Sequence, residues 1–240
     1  MEPTVDSVRH FDTRPGSAVY SSFVLKLYDA WVLGISNRLA WRCGTRKVLL
    51  PFYCRHVGEH HLEVGVGSGF YPSHADLRAE HHQVTLLDLN EHSLAAAARR
   101  LGHPPVAPLV TQLAGDVMQP LTMLEGRRFD SIALFYLLHC LPGAMNEKAR
   151  VFAHLKGHLA ADGVLFGATV LGDSAGHNWF GRALQRTYNR KGVFDNRHDT
   201  LEALRAALSL HFAEVCVEQE GVVALFVARA PLHRFDSHES

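Results

Sequence analysis

His61-Leu62-Glu63-Val64-Gly65-Val66-Gly67-Ser68-Gly69 is a short apolar strand that runs straight into alternating glycines. Small residues at a strand's end let the backbone turn sharply and come close to a ligand lying across the strand ends and the next helix N-terminus. A dinucleotide fingerprint, G-x-G-x-x-G, needs a glycine at position 70, where this chain has Phe70. The loop therefore suits a nucleoside without pyrophosphate better than a dinucleotide. Taken alone the loop is a weak signal, with a structural turn that holds no ligand as its alternative reading.

Outward from the loop, short apolar runs alternate with amphipathic stretches. A helix is expected over about Pro72 to His81, then a strand in VTLLDLN (84–90) and a helix from Glu91 to Leu101 with Gly102 as its stop. Val110 to Ala114 reads as a third strand, and FDSIALFYLLHCL (129–141) as a fourth that ends near Phe135. Asn146 to Leu159 reads as a helix before Asp162-Gly163 turns into GVLFGATVL (163–171). Strands and helices alternating at this spacing imply parallel crossover units and a doubly wound sheet. Upstream, Tyr20 to His56 carries helical periodicity, with Pro51 in a first turn or at a break. Downstream, Gly172 to Arg197 reads as a helical insertion and loop carrying Trp179, Phe180, Tyr188 and Phe194. Thr200 is placed to N-cap the following helix, and AEVCVEQ and VVALFVAR make a hairpin about Glu220-Gly221, so the sheet ends antiparallel.

Asp88 closes the second strand at a spacing from Gly69 that fits an acidic partner for both ribose hydroxyls, about 20 residues on. Asp116 closes the third, where its carboxylate and the Val117 amide can bracket an adenine amino group and ring nitrogen. Either aspartate alone could cap a turn. Together with the glycines they indicate a nucleoside site.

These motifs resemble the class I S-adenosylmethionine-dependent methyltransferases, from His61 to Arg229. Glu63 to Gly69 matches the family's E-x-G-x-G-x-G loop, and Leu86-Leu87-Asp88-Leu89-Asn90 its acidic second strand. Ala114-Gly115-Asp116-Val117 matches its adenine-side motif, and Phe129-Asp130 through Leu141 its fourth strand. The resemblance implies an α/β, doubly wound Rossmann-like sheet of about seven strands with a terminal antiparallel hairpin. With the N-terminal helical cap this makes one domain over 1–240: cap 1–60, cofactor-binding core 61–171, substrate-side insertion 172–199, final helix and hairpin 200–240. The resemblance implies S-adenosylmethionine as cofactor and S-adenosylhomocysteine as product. Gly65, Gly67 and Gly69 would face the methionine part, Asp88 with Leu89 the ribose, and Asp116 with Val117 the adenine. Glu63 would act through the loop's hydrogen bonds, Phe135 would lie beside the methyl donor, and Tyr28 is the preferred lid residue of the cap.

A small-molecule acceptor is expected, methylated on a hydroxyl or carboxylate oxygen, with nitrogen or carbon transfer and a noncatalytic cofactor-binding subunit as alternatives. His139, just after the fourth strand, is the candidate general base for a hydroxyl, against a structural role. No N-P-P-Y or D-P-P-Y follows that strand, so methylation of an exocyclic base amine loses support. With 24 basic and 24 acidic residues the formal charge is zero, which disfavours a nucleic-acid binder. The 17 histidines are scattered, without H-E-x-x-H, and read as solvated rather than as metal ligands; His60, His61, His81 and His82 fall at strand starts or in loops. Four separated cysteines and an opening with Asp6, Arg9 and Asp12 in place of an apolar run fit a cytoplasmic protein with no membrane segment.

Overall fold

The computed structural model describes residues 29–75, 77, 82–102 and 107–232, with only the backbone of 29–33. Five parallel strands come first: β1 (His60–Val64), β2 (Gln83–Asp88), β3 (Leu109–Ala114), β4 (Phe129–Phe135) and β5 (Leu159–Val170). The hairpin of β6 (Phe212–Glu220) and β7 (Val223–Pro231) completes a seven-stranded sheet in the order β3-β2-β1-β4-β5-β7-β6, with β7 antiparallel to both neighbours. The chain winds outward from β1 to β3 and then returns to place β4 on the other side of β1. A crevice therefore opens beyond the carboxyl ends of β1 and β4, where ligands bind in sheets of this kind.

The two-residue period of each strand sorts its side chains between two cores. On β4, Ile132 and Leu134 join Phe152 and Leu204 on one face, while Ala133 and Phe135 join Tyr53 and Tyr71 on the other. On the second face lie α1 (Asp29–Ala40), α2 (Leu50–His56), α3 (Phe70–His74) and α4 (Glu91–Leu101). Helix α1 is wound in the wide π form, and the Trp41 amide continues its pattern by donating to the Ser36 carbonyl at 2.9 Å. Pro51 sits in the first turn of α2, where a missing amide proton costs nothing.

Several boundaries differ from the periodicity. The helix after the glycine loop starts earlier and is shorter, Phe70–His74 instead of 72–81, because Gly69 at φ 71° turns directly into it and Ala75 is already extended at ψ 154°. The expected helix over Asn146 to Leu159 splits at Ala149 into α5 (Met145–Lys148) and α6 (Arg150–Lys156). Leu159 belongs to β5, which pairs it with Phe129, loops out, and resumes with Val164 against Ser131. Gly163 lies within that bulge, where a Cβ would stand 2.9 Å from the Phe129 carbonyl oxygen.

The insertion forms α7 (Trp179–Arg190), whose N-cap Asn178 accepts from the Gly181 amide at 2.7 Å. It is followed by α8 (Leu201–Ser209), capped by Thr200 Oγ1 accepting from Ala203 at 3.1 Å. The hairpin turn is Gly221-Val222, one residue later than expected; a Cβ on Gly221 would lie 2.3 Å from the Trp41 carbonyl oxygen. Val222 donates to that oxygen at 2.9 Å, so the end of the cap is tied to the last two strands. Among the described residues no helix is long and apolar enough to cross a membrane.

Candidate active site

The glycine loop occupies the crevice, and its three glycines differ in what they face. All have positive φ, 73° at Gly65, 52° at Gly67 and 71° at Gly69, a region that favours glycine. A Cβ on Gly65 would stand 2.8 Å from Leu137 Cδ1, and one on Gly69 would stand 2.7 Å from Ala97 Cα, whereas one on Gly67 would meet nothing within 4 Å. Gly69 thus lets α3 close on α4, and Gly67 is the glycine that opens onto free space. Gly69→Ala is expected to cost about 2–4 kcal/mol through overpacking and backbone strain. Gly67→Val should cost only about 1–2 kcal/mol of stability yet block the space before the loop. Urea unfolding separates the two by stability, and calorimetric titration by ligand binding.

Asp88 ends β2 beside this loop. Its Oδ1 accepts from the Asn90 amide at 2.8 Å. Burial pushes its carboxyl above the ordinary range, while the amides of Asn90, Gly67, Val66 and Leu89 hold it down through hydrogen bonds. Leu89, next to it, is 39% exposed, an apolar side chain left uncovered at the strand end. Asp116 Oδ1 accepts from Met118 at 2.9 Å, which makes it the cap of the turn after β3. Val117 is buried and its carbonyl accepts from His154 Nδ1 at 3.0 Å. Phe135 closes β4 inside an aromatic cluster, 4.6 Å from the Tyr71 centroid and 5.1 Å from that of Tyr53. Tyr28 lies outside the described residues.

Glu63 is held differently from the expected loop hydrogen bonds. Its buried Oε2 accepts from Tyr53 OH at 2.6 Å and lies 3.0 Å from His61 Nε2. The His61 Nδ1 is 2.8 Å from Ser131 Oγ, and that oxygen accepts from the Gly58 amide. Burial first and the Glu63 carboxylate second push the Tyr53 phenol well above its usual pKa. This network clamps α2 to β1 and β4 beneath the loop. The expectation of a solvated His61 fails here: it is fully buried. Its signal was present, since His61 and Glu63 are two apart on a strand and so share one face.

His139 sits on the short turn after β4, 1% exposed. Its Nδ1 accepts from the Val170 amide at 3.2 Å and lies 3.2 Å from Thr169 Oγ1, so the neutral ring carries its proton on Nε2. Burial, aided by Lys148, lowers its pKa from 6.5 to about 3. At neutral pH the imidazole is uncharged, with its one basic nitrogen already occupied. The depressed value means the folded chain binds fewer protons than the unfolded one below pH 6.5. The stability this group contributes is complete above that pH and is lost as pH falls toward about 3. Its share of the loss is about 1.4 kcal/mol per pH unit. Three other histidines, His56, His158 and His177, shift in the same direction, so the share of His139 is read by comparing urea midpoints from pH 7 to pH 4 with those of His139→Gln. Equal slopes would remove it.

Among the described residues no group of three or more His, Cys, Asp or Glu side chains is placed to hold a metal ion. The four cysteines are free thiols.

A sheet that ends antiparallel, with a glycine loop after β1 and a carboxylate closing β2, defines the methyltransferase type of Rossmann-like fold. The chain belongs to the class I S-adenosylmethionine-dependent methyltransferases. Residues 62–165 match the methyltransferase domain model. The chain is 40% identical over 219 residues to the O-methyltransferase of the physcion biosynthesis cluster of Aspergillus chevalieri, covering 91% of this chain and 96% of that protein. It is 37% identical over 228 residues to the O-methyltransferase adaD of Aspergillus niger, covering 91% and 89% of the two. Its fold is similar to that of DhpI in complex with S-adenosylhomocysteine, with a TM-score of 0.61 at 15% identity, over 92% of this chain and 98% of that one.

The residues present fit the family's cofactor. Gly67 leaves space before the loop, Asp88 presents a carboxylate there, and Leu89 offers an uncovered apolar surface.

Proposed function

We propose that this chain transfers the methyl group of S-adenosylmethionine to an oxygen of a small molecule, a hydroxyl or a carboxylate. The observation that carries this reading is the 40% identity, across nearly the full length of both chains, to a protein named as an O-methyltransferase. When bound, the cofactor supplies a methyl group on a positively charged sulfur. In this reading Asp88 accepts from the ribose hydroxyls, Leu89 flanks the nucleoside, and Asp116 with Val117 marks the adenine end. Gly67 admits the cofactor to the loop. Gly65 and Phe135 border its methionine end, Gly69 serves through helix packing, and Glu63 through the Tyr53–His61 clamp.

Displacement at a methyl group asks mainly for alignment and exclusion of water. His139, neutral and with Nδ1 engaged, is assigned a positioning role in place of the general base first expected. Its ring lies 4.3 Å from that of Phe194 and 5.5 Å from that of Tyr136, and it ties both to the end of β5.

Calorimetric titration with S-adenosylmethionine and S-adenosylhomocysteine, with NADH as control ligand, tests the donor side. Micromolar binding of the first two alone is expected. Mass spectrometry on panels of phenols and carboxylic acids then seeks a product one methyl heavier. Binding of NADH in their place would overturn the donor assignment, and a methyl recovered on nitrogen or carbon would overturn the oxygen assignment.

A further inference from the structure

Several buried polar atoms have no hydrogen-bond partner among the described residues, among them Gln185 Oε1 and Nε2, Ser36 Oγ, Tyr136 OH, Asn37 Oδ1 and His177 Nδ1. Gln185 and Ser36 are each 1% exposed. A buried amide with both ends unmatched is costly, and folded proteins rarely keep one without a use for it.

Gln185 and Ser36 lie on the two helices of one seam. Helix α7 lies against α1 at Gly181, where a Cβ would stand 2.8 Å from the Ala40 carbonyl oxygen. Asn178 Nδ2 donates across the same contact to Leu39 at 2.7 Å. Gln185 lies one turn beyond Gly181 on α7, and Ser36 about one turn before Ala40 on α1. From α7 a chain of rings leads back to the sheet: Tyr188 to Phe194 at 4.9 Å, Phe194 to His139 at 4.3 Å, His139 to Tyr136 at 5.5 Å. Tyr136 directly follows β4 with φ 58°, a conformation bulky residues seldom adopt, at the crevice where the cofactor is assigned.

We propose that Gln185, with Ser36 and Tyr136, forms the polar recognition set for the acceptor and selects an uncharged hydroxy-carbonyl compound over a carboxylate. The inference rests on the methyl-transfer reading above. An amide presents one donor end and one acceptor end, which match a carbonyl and a hydroxyl on the ligand. The two hydroxyl groups either donate or accept. None of the three carries a positive charge. Lys148, the buried cation of this region, is already held by Asp199 at 2.7 Å and by the Asp195 carbonyl at 2.6 Å. A carboxylate facing these three uncharged groups would gain no counter-charge from them.

The test uses three probes with the same methylatable hydroxyl: para-hydroxyacetophenone, para-ethylphenol and para-hydroxybenzoate. With wild-type protein the ketone is expected to show a KM about tenfold below the other two. Gln185→Leu should raise the ketone's KM about tenfold and leave that of ethylphenol within about twofold. Its melting temperature should equal or exceed wild type, because an unmatched amide is gone, and its S-adenosylhomocysteine affinity should be unchanged. Ser36→Ala and Tyr136→Phe, which each remove one oxygen, should shift the same preference in smaller steps. Equal KM values for ketone and ethylphenol, preference for the benzoate, or a Gln185→Leu chain that unfolds or loses the cofactor would overturn the proposal. If S-adenosylhomocysteine binds but none of the probes is methylated, the acceptor class falls alone. If neither the donor nor its product binds, the methyl-transfer reading falls first.

Discussion

Lys148→Met is expected to lower the unfolding free energy by about 3–5 kcal/mol, the usual cost of removing one partner from a buried ion pair. Lys148 Nζ and Asp199 Oδ2 are 2.7 Å apart, with side chains 0% and 1% exposed. The same ammonium donates to the Asp195 carbonyl, so the pair staples α5 to the segment that carries Phe194. Burial raises the Asp199 carboxyl and the lysine pulls it down. Without the lysine the carboxyl rises further and is favoured in its neutral form. The stability tied to a raised acid is present below its unfolded value and lost as pH rises. The deficit of the variant should therefore be small near pH 4 and grow toward neutrality. Lys148→Met combined with Asp199→Leu should regain most of the loss, since an apolar pair leaves no buried charge. Urea midpoints at the two pH values decide it, and a single-variant loss under about 1 kcal/mol would show the pair to be hydrated.

Asp88→Ala should weaken binding of S-adenosylmethionine and S-adenosylhomocysteine by about 1–3 kcal/mol, roughly 5–150-fold in Kd. The loss is that of charge-assisted hydrogen bonds to the ribose. Because burial holds the Asp88 carboxyl above its ordinary range, it takes up a proton at a higher pH than an exposed aspartate. Wild-type affinity should then decline as pH falls through that raised value, since the hydroxyls donate to the carboxylate. Asp88→Asn should be weak at every pH and lack this decline. Titrations at neutral and acid pH, with circular dichroism to confirm the fold, measure both. An unchanged Kd in Asp88→Ala would sink the ribose assignment.

What was legible in the sequence is what period and glycine placement encode. Strand positions followed from apolar runs, the hairpin from a glycine between two alternating segments, and the Asp88 position from its spacing to the loop. Tertiary contacts decided the rest. Asn146 to Lys156 has helical composition, yet Lys148 turns inward to Asp199 and the helix breaks at Ala149; Gly157 then caps it and Leu159 pairs with Phe129, so it also ends early. His139 stands beside the crevice in the sequence as a base would, and only its burial and the Val170 amide reveal a ring with no free basic nitrogen. Gln185 carries no sequence signal, because a glutamine in a polar amphipathic helix is ordinary until its surroundings are known.

The contact of Gly181 with Ala40 joins segments 139–141 positions apart in the chain, both outside the 62–165 core. A graft of residues 29–41 from a relative, made alone, would bring a new α1 onto an α7 shaped for the old one. The two segments should exchange as a matched pair. If the acceptor is recognised at this seam as proposed, a chimaera carrying both segments is expected to take on the relative's acceptor preference while residues 62–165 stay unchanged.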